Sequence, residues 1–278
     1  MESFLIFGIS IFAGFLGAIL GIGGGAVLIP SLTLGFGIHI RYAVGASLIS
    51  VIATSSGAAA SYVRERLTNI RVAIFLEIAT TLGALLGVGL SGFLKSKLLY
   101  VIFGLVLLQS AYLMSRKRED SAPSGSDPEF AENAWANRLR LNSSYPEGPS
   151  RREVAYRVTQ IPLGFLYMVM AGVLSGLLGI GSGVLKVLAM DRAMGLPIKV
   201  SSATSNFMIG VTAAASAGVY FLRGDIIPEL AGPVALGVLI GSMIGARLMP
   251  VLPARQIRRL FVVVIAAVAT QMILKGLR

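Results

Sequence analysis

Gly21-Ile22-Gly23-Gly24-Gly25 interrupts an apolar run that opens at residue 4, and Gly179-Ile180-Gly181-Ser182-Gly183 interrupts another 158 residues later. Glycine loses more conformational freedom on being fixed than any other residue, so a cluster of glycines weakens the helix it falls in. Small residues also let helices approach closely in lipid, and close packing alone is one reading of both motifs. That reading suits Gly83-x-x-x-Gly87 and Gly241-x-x-x-Gly245. The first pair reads better as a break in the chain. Each cluster is followed by a short apolar stretch, 24–36 and 183–196, whereas a helix needs ~20 residues to cross a bilayer. A break at depth frees backbone groups that only protein or a water-filled cavity can satisfy. The helix that restarts aims N–H groups and a positive dipole end at that cavity, an arrangement suited to an oxyanion.

The two motifs belong to a longer correspondence. Adding 158 takes Gly14 to Gly172, Ser47 to Ser205, Thr54 to Thr212 and Tyr62 to Tyr220. The same shift takes Gly83 and Gly87 to Gly241 and Gly245, and Met114 to Met272. One ungapped offset over about 100 residues is a duplication, a common plan among transporters. The apolar runs fall at 4–20, 24–36, 42–62, 72–94 and 97–114, then at 162–178, 183–196, 200–222, 226–249 and 256–274. The expected division is a first transmembrane repeat at 1–114, a polar cytoplasmic linker at 115–160 and a second repeat at 161–278.

Composition requires a bilayer. Of 278 residues, 55% are hydrophobic and 13% charged, where a soluble domain carries about 25% charged residues. The chain has no cysteine and one histidine, His39, between apolar runs. Thiolate and histidine metal sites and Ser-His or Cys-His catalysis are therefore excluded in practice. The net charge of +11 lies mostly beside the apolar runs, which is membrane anchoring and not nucleic-acid binding. Glu2 and the absence of early Lys or Arg make the first run a retained segment, not a cleaved signal.

An odd number of crossings per half inverts the repeats, and an even number leaves them parallel. Placing 115–160 inside, odd models also put nine basic residues inside: Arg64, Arg66, Arg71, Arg192, Lys199, Arg247, Arg255, Arg258 and Arg259. Six stay outside: Arg41, Lys95, Lys97, Arg223, Lys275 and Arg278. A four-crossing half reverses the split, so the positive-inside rule favours inversion with both termini outside. Three or five crossings per half remain open. The expected class is an all-α polytopic membrane protein of two inverted repeats, each with a glycine-broken first helix region.

A charge at membrane depth suggests function by default. Lys186, three residues past the second break, either complements an anion, pairs with Asp191 or snorkels to the interface. Glu77 either carries a proton or is the buried partner of Arg71 or another base, and Asp191 is the weaker proton candidate. Hydroxyl and amide groups along Ser47–Ser56 and Ser201–Ser205, with Asn206 and Thr212, either bond to neighbouring helices or line a site beside the breaks, Thr204-Ser205-Asn206 being the most polar stretch. No GxxxxGK[ST] pattern accompanies the glycines, so they are not a nucleotide loop. Ser182 with Lys186 as its base would be a strained basis for an intramembrane enzyme. A channel and a membrane scaffold remain as alternatives.

GIGGGAVLIP at 21–30, GIGSGVLKVLAM at 179–190, IKVSSATSNFMIGVTAAASAGVYFLRGDI at 198–226 and the paired GxxxG runs resemble the sulfite exporter TauE/SafE family. Pro30 keeps the family's proline after the first motif; Leu188 replaces it after the second, and Ser182 stands for a glycine. The resemblance implies transport of sulfite, sulfoacetate, other sulfonates or related small sulfur anions. It places Gly21–Gly25, Gly179–Gly183, Lys186 and Thr204-Ser205-Asn206 around the translocation site. The expected function is a secondary transporter, an exporter, in the inner (plasma) membrane. Its substrate would bind at Gly23, Gly24, Gly25, Ser47, Gly181, Ser182, Gly183, Lys186, Thr204, Ser205 and Asn206, with Glu77 and Asp191 as proton-coupling candidates. The partners are a small anion and the lipid bilayer, with no cofactor, metal or nucleic acid and with a homodimer left open.

Overall fold

The computed structural model describes residues 2–91, 96–115, 134–147, 152–178 and 182–277. Its helices are α1 (Glu2–Leu20), α2 (Gly25–Pro30, continued by a π-helical turn over Ser31–Gly35), α3 (Ile40–Arg64), α4 (Ile70–Ser91) and α5 (Ser96–Ser115). A short α6 (Ala134–Arg138) and the antiparallel hairpin β1 (Ser143–Glu147) and β2 (Arg152–Tyr156) follow. Then come α7 (Ile161–Leu178), α8 (Gly183–Leu188, continued by a π-helical turn over Ala189–Ala193), α9 (Ile198–Leu222), α10 (Pro228–Leu248) and α11 (Ala254–Leu277). Among the described residues six helices are long and apolar enough to cross a membrane: α1, α3, α4, α9, α10 and α11. Gly25–Gly35 is short, as the sequence requires.

The surface is the inverse of a soluble protein's. Phe4, Phe12, Ile74, Ile78, Leu82, Leu86, Phe221 and Leu222 are all more than half exposed, while Ser10, Ser47, Ser50, Thr54, Thr80 and Ser202 are buried. An exposed apolar girdle of this size marks contact with lipid or protein. Inside, glycine replaces the bulky core side chain. A methyl group on Gly241 would strike the Ile11 carbonyl, and one on Gly87 the Val173 carbonyl, so both GxxxG runs bring backbones together.

These contacts also fix helix directions. Gly237 lies on Phe7, Gly241 on Ile11 and Gly245 on Phe15, so α1 and α10 run parallel. Gly172 lies on Thr80 and Gly176 on Ala84, so α4 and α7 run parallel too. Gly104 meets Ile273 and Gly276 meets Val101, which makes α5 and α11 antiparallel. One end of the bundle gathers the α3–α4 turn, the end of α5 and residues 134–147 and 152–160. There Arg192 donates to the Met114 carbonyl at 3.1 Å and the Thr159 amide to the Met194 carbonyl at 2.9 Å. The opposite end carries the α9–α10 turn, where Gly45 of α3 packs on the Asp225 carbonyl.

The described part of the 115–160 segment is folded. Ala136, Leu141, Tyr145, Tyr156 and Val158 are buried in the same core cluster as Leu67. Asn69 holds the segment in place: its Nδ2 donates to the Leu141 carbonyl at 2.8 Å and to the Tyr156 hydroxyl at 2.9 Å. Burial raises the Tyr156 and Tyr145 phenols above their usual range, so both stay neutral. So few buried positions, spread over so many polar ones, leave no helical or strand period to read in the sequence.

Candidate functional site

The first break is a tight fold-back. Gly21, Gly23 and Gly24 have φ of 72°, 78° and 67°, a left-handed region open mainly to glycine. A methyl group on Gly17 would strike the Gly24 amide nitrogen, which shows how closely the chain returns on itself. The carbonyls freed at the end of α1 are taken by side chains from two other helices. Tyr62 of α3 donates its hydroxyl to the Ala18 carbonyl at 2.9 Å, and Asn206 Nδ2 of α9 donates to the same oxygen at 2.6 Å. Ser202 donates to the Leu20 carbonyl at 3.3 Å and Ser205 to the Gly21 carbonyl at 2.6 Å. Each such bond contributes about 1 kcal/mol net in water, but leaving a carbonyl unpaired in hydrocarbon costs several.

The second break meets the first. A methyl group on Gly183 would come 2.5 Å from both the Gly21 carbonyl oxygen and the Ile22 Cα. The Ser205 hydroxyl lies 3.4 Å from the Gly183 carbonyl while bonded to Gly21, so it sits at the junction of the two. Ser182 precedes α8 with φ 56°, a left-handed conformation in which its Cβ is strained. Tyr220 donates to the Gly176 carbonyl at 3.1 Å, the same 44-residue span that separates Tyr62 from Ala18. Gly179, Ile180 and the site candidate Gly181 lie outside the described residues.

Lys186 is wholly buried, which rules out snorkelling here, and its partner is Glu77 and not Asp191. Its Nζ donates to Glu77 Oε2 at 3.0 Å and to Thr212 Oγ1 at 2.5 Å. Thr212 in turn donates to Glu77 Oε1 at 2.5 Å, and Thr81 donates to the same oxygen at 3.2 Å. Arg71, the other base considered for Glu77, donates to the Arg140 carbonyl at 3.0 Å. Removing one partner of a buried pair typically costs about 3–5 kcal/mol, because the other charge is stranded.

Asp191 belongs to a different cluster. Arg258 of α11 holds it with two parallel bonds of 3.2 and 3.1 Å, and Arg192 adds a contact at 3.4 Å. Such a fork is the strongest pairing a carboxylate has in proteins. Thr204 accepts the Asn69 amide at 3.0 Å. Ser47 is buried on α3, and its carbonyl accepts the Ser50 hydroxyl at 2.7 Å. Of the sequence candidates, Gly23, Gly24, Gly25, Ser182, Gly183, Ser205 and Asn206 thus gather at or beside the breaks. Lys186 joins Glu77, while Thr204 and Asp191 are engaged elsewhere. Among the described residues no three His, Cys, Asp or Glu side chains form a metal-sized group.

The sequence marks Thr212 only among the helix hydroxyls, and Thr80 and Thr81 are absent from the candidates drawn from it. Spacing could have found them: Glu77, Thr80 and Thr81 stand at i, i+3 and i+4, and Thr212 lies two turns beyond Ser205, so each set shares a helix face.

A family model described as sulfite exporter TauE/SafE matches residues 6–272. The chain belongs to the TauE/SafE family. Among its TauE/SafE-like relatives, the probable membrane transporter protein YunE of Bacillus subtilis (strain 168) is 24% identical over 280 residues, covering 97% of this chain and 96% of that protein. The probable membrane transporter protein YdhB of the same organism is 28% identical over 251 residues, covering 90% and 89%. The probable membrane transporter protein MamO of Magnetospirillum gryphiswaldense is 31% identical over 137 residues, covering 46% of this chain and 20% of that protein. No solved structure matches significantly. Membership of TauE/SafE and the apolar spans make this chain a multi-pass membrane transporter protein.

Proposed function

We propose that the chain is a secondary carrier of small sulfur oxyanions, such as sulfite, sulfoacetate or other sulfonates, and that it serves as an exporter. The observation that carries this reading is the backbone contact between the two glycine breaks, Gly183 on Gly21 and Ile22, with buried Lys186 one turn away. The two breaks meet at one point, with the Lys186–Glu77 ion pair beside them. The anion would lie against Gly23, Gly24 and Gly25 on one side and Ser182 and Gly183 on the other, with Lys186 supplying the charge. Ser202, Ser205 and Asn206 spend their donors on break carbonyls, so their proposed role is to hold the first break in shape; Ser47 stands 158 residues before Ser205. The contact leaves no room for a methyl group, so passage requires the breaks to part. A carrier that opens and closes does this, whereas a standing pore would not need to.

The same proposal takes 1–114 and 161–278 as inverted repeats and 115–160 as a cytoplasmic segment, in the inner (plasma) membrane. It is supported by the parallel pairs α1 with α10 and α4 with α7, which exchange under the 158-residue offset. The matched bonds of Tyr62 to Ala18 and Tyr220 to Gly176 support it too, since both members of each shift by 158.

The test is binding and flux with the purified chain. Sulfite or a simple sulfonate should raise the Tm, and proteoliposomes should show saturable transport with counterflow. Lys186→Met should weaken anion binding by at least tenfold while the protein still folds, because Glu77 can neutralise itself by taking a proton. Unchanged affinity in that variant removes Lys186 from the site, and no stabilisation by any anion removes the site altogether.

A further inference from the structure

We infer that Glu77 and the transported anion compete for the Lys186 ammonium, so that each anion bound places one proton on Glu77. The inference rests on the anion-carrier reading above and adds its coupling ion. The ammonium is shared between Glu77 Oε2 at 3.0 Å and Thr212 Oγ1 at 2.5 Å, and the Thr212 hydroxyl donates to Glu77 Oε1. One positive and one negative charge balance. A second anion beside Lys186 would leave this buried site with a net negative charge, which a low-dielectric interior resists by neutralising a carboxylate. Glu77 is the member that a proton neutralises, which leaves the Lys186 ammonium charged and available to the anion.

The elements packed against α4 present few charges to Glu77. α7 presents Val169, Gly172 and Val173 to α4, α9 presents Thr212, and Arg71 on α4 itself is turned to the Arg140 carbonyl. Among the described residues Lys186 is the cation in ion-pair contact with Glu77. Thr212 can follow the exchange, because a hydroxyl both donates and accepts and can rotate between partners. It donates to ionised Glu77; once Glu77 carries a proton, it can accept from that carboxyl and turn its own hydrogen to the anion. One proton enters on Glu77, one anion enters on Lys186, and no heavy-atom bond forms or breaks. The net charge of the site is zero both loaded and empty.

The set occurs once per chain. The positions offset by 158 from Lys186, Thr212 and Glu77 hold Leu28, Thr54 and Ala235. A single proton per cycle follows, and a monovalent anion would move electroneutrally. Direction is then set by the anion and proton gradients together, not by the membrane potential.

The experiment measures the Kd of the purified full chain for methanesulfonate, which keeps one charge at every pH used, against pH by calorimetry. The expected Kd weakens about tenfold per pH unit once Glu77 ionises. Repeating the titration in buffers of different ionisation heat should show uptake of one proton per anion. Glu77→Gln should bind with a Kd that is flat across the same range, and its Tm reports whether it folds. If it does not fold, the proton count on the unaltered chain still decides. A flat Kd and no proton uptake in the unaltered chain, or a pH slope that survives Glu77→Gln, overturns the coupling while leaving the carrier reading intact. Absence of binding by both methanesulfonate and sulfite at every pH overturns both.

Discussion

Adjacent residues at the second break face different constraints. Ser182 holds a left-handed position with φ 56° and ψ 7°, Gly24 at the equivalent place has φ 67° and ψ −31°, and Gly183 presses on the backbone of Gly21 and Ile22. Ser182→Gly should therefore be close to neutral, since the left-handed penalty of about 1–2 kcal/mol that glycine avoids is offset by roughly 1 kcal/mol for its greater freedom in the unfolded chain. Gly183→Ala meets backbone atoms that cannot turn aside, and overpacking of this kind typically costs about 1–3 kcal/mol and shifts the surroundings. Thermal unfolding in detergent should rank Gly183→Ala as the more damaging of the two. Its anion-induced stabilisation should fall as well, because the two breaks are forced apart. Equal Tm values with intact anion binding would argue that the contact between the breaks is incidental.

Helix boundaries were the most legible feature, because apolar runs and glycine clusters report directly on burial in lipid. The run read as 42–62 is Ile40–Arg64, and 200–222 is Ile198–Leu222. The partners of the polar residues were less legible. That Lys186 reaches Glu77, 109 residues away, depends on how α8 lies across α4 and α9, and no local period carries that information. Asp191 likewise found Arg258 of α11 rather than the nearer Lys186. The folding of residues 134–147 and 152–160 was hidden for a related reason: it depends on Asn69, a single amide in a turn. Asn69→Ala removes donors from the Leu141 carbonyl and the Tyr156 hydroxyl, which at about 1 kcal/mol each should loosen the segment. Hydrogen exchange over 134–160 should rise several-fold while the amides of α4 and α9 stay protected. Loosening that spreads into α9 would mean that the segment is part of the membrane core and not a cover laid on it.

At the scale of the whole molecule, the charges and the contacts give two separate arguments for one topology. Arg71, Arg192, Lys199 and Arg258 are engaged at the end of the bundle that carries residues 134–147 and 152–160, with Arg140, Met114, Pro250 and Asp191 as partners. Arg223 is held by the Val88 carbonyl and Lys275 by the Thr33 carbonyl, away from that end. Basic residues collect on the cytoplasmic face because translocating them is costly. If the repeats are inverted, Asn137 and Arg255 face the cytoplasm, and Arg41 and Glu229 face the opposite side; all four are exposed. The chain has no native cysteine, so one introduced at each of these positions is the only thiol a reagent can find. A membrane-impermeant maleimide applied to intact cells should label Arg41→Cys and Glu229→Cys at once, and Asn137→Cys and Arg255→Cys only after the membrane is opened. Labelling of Asn137→Cys and Glu229→Cys from the same side would require parallel halves. The shared position of the two breaks would then no longer be symmetric across the membrane, and a carrier that opens alternately to each face would lose its structural basis.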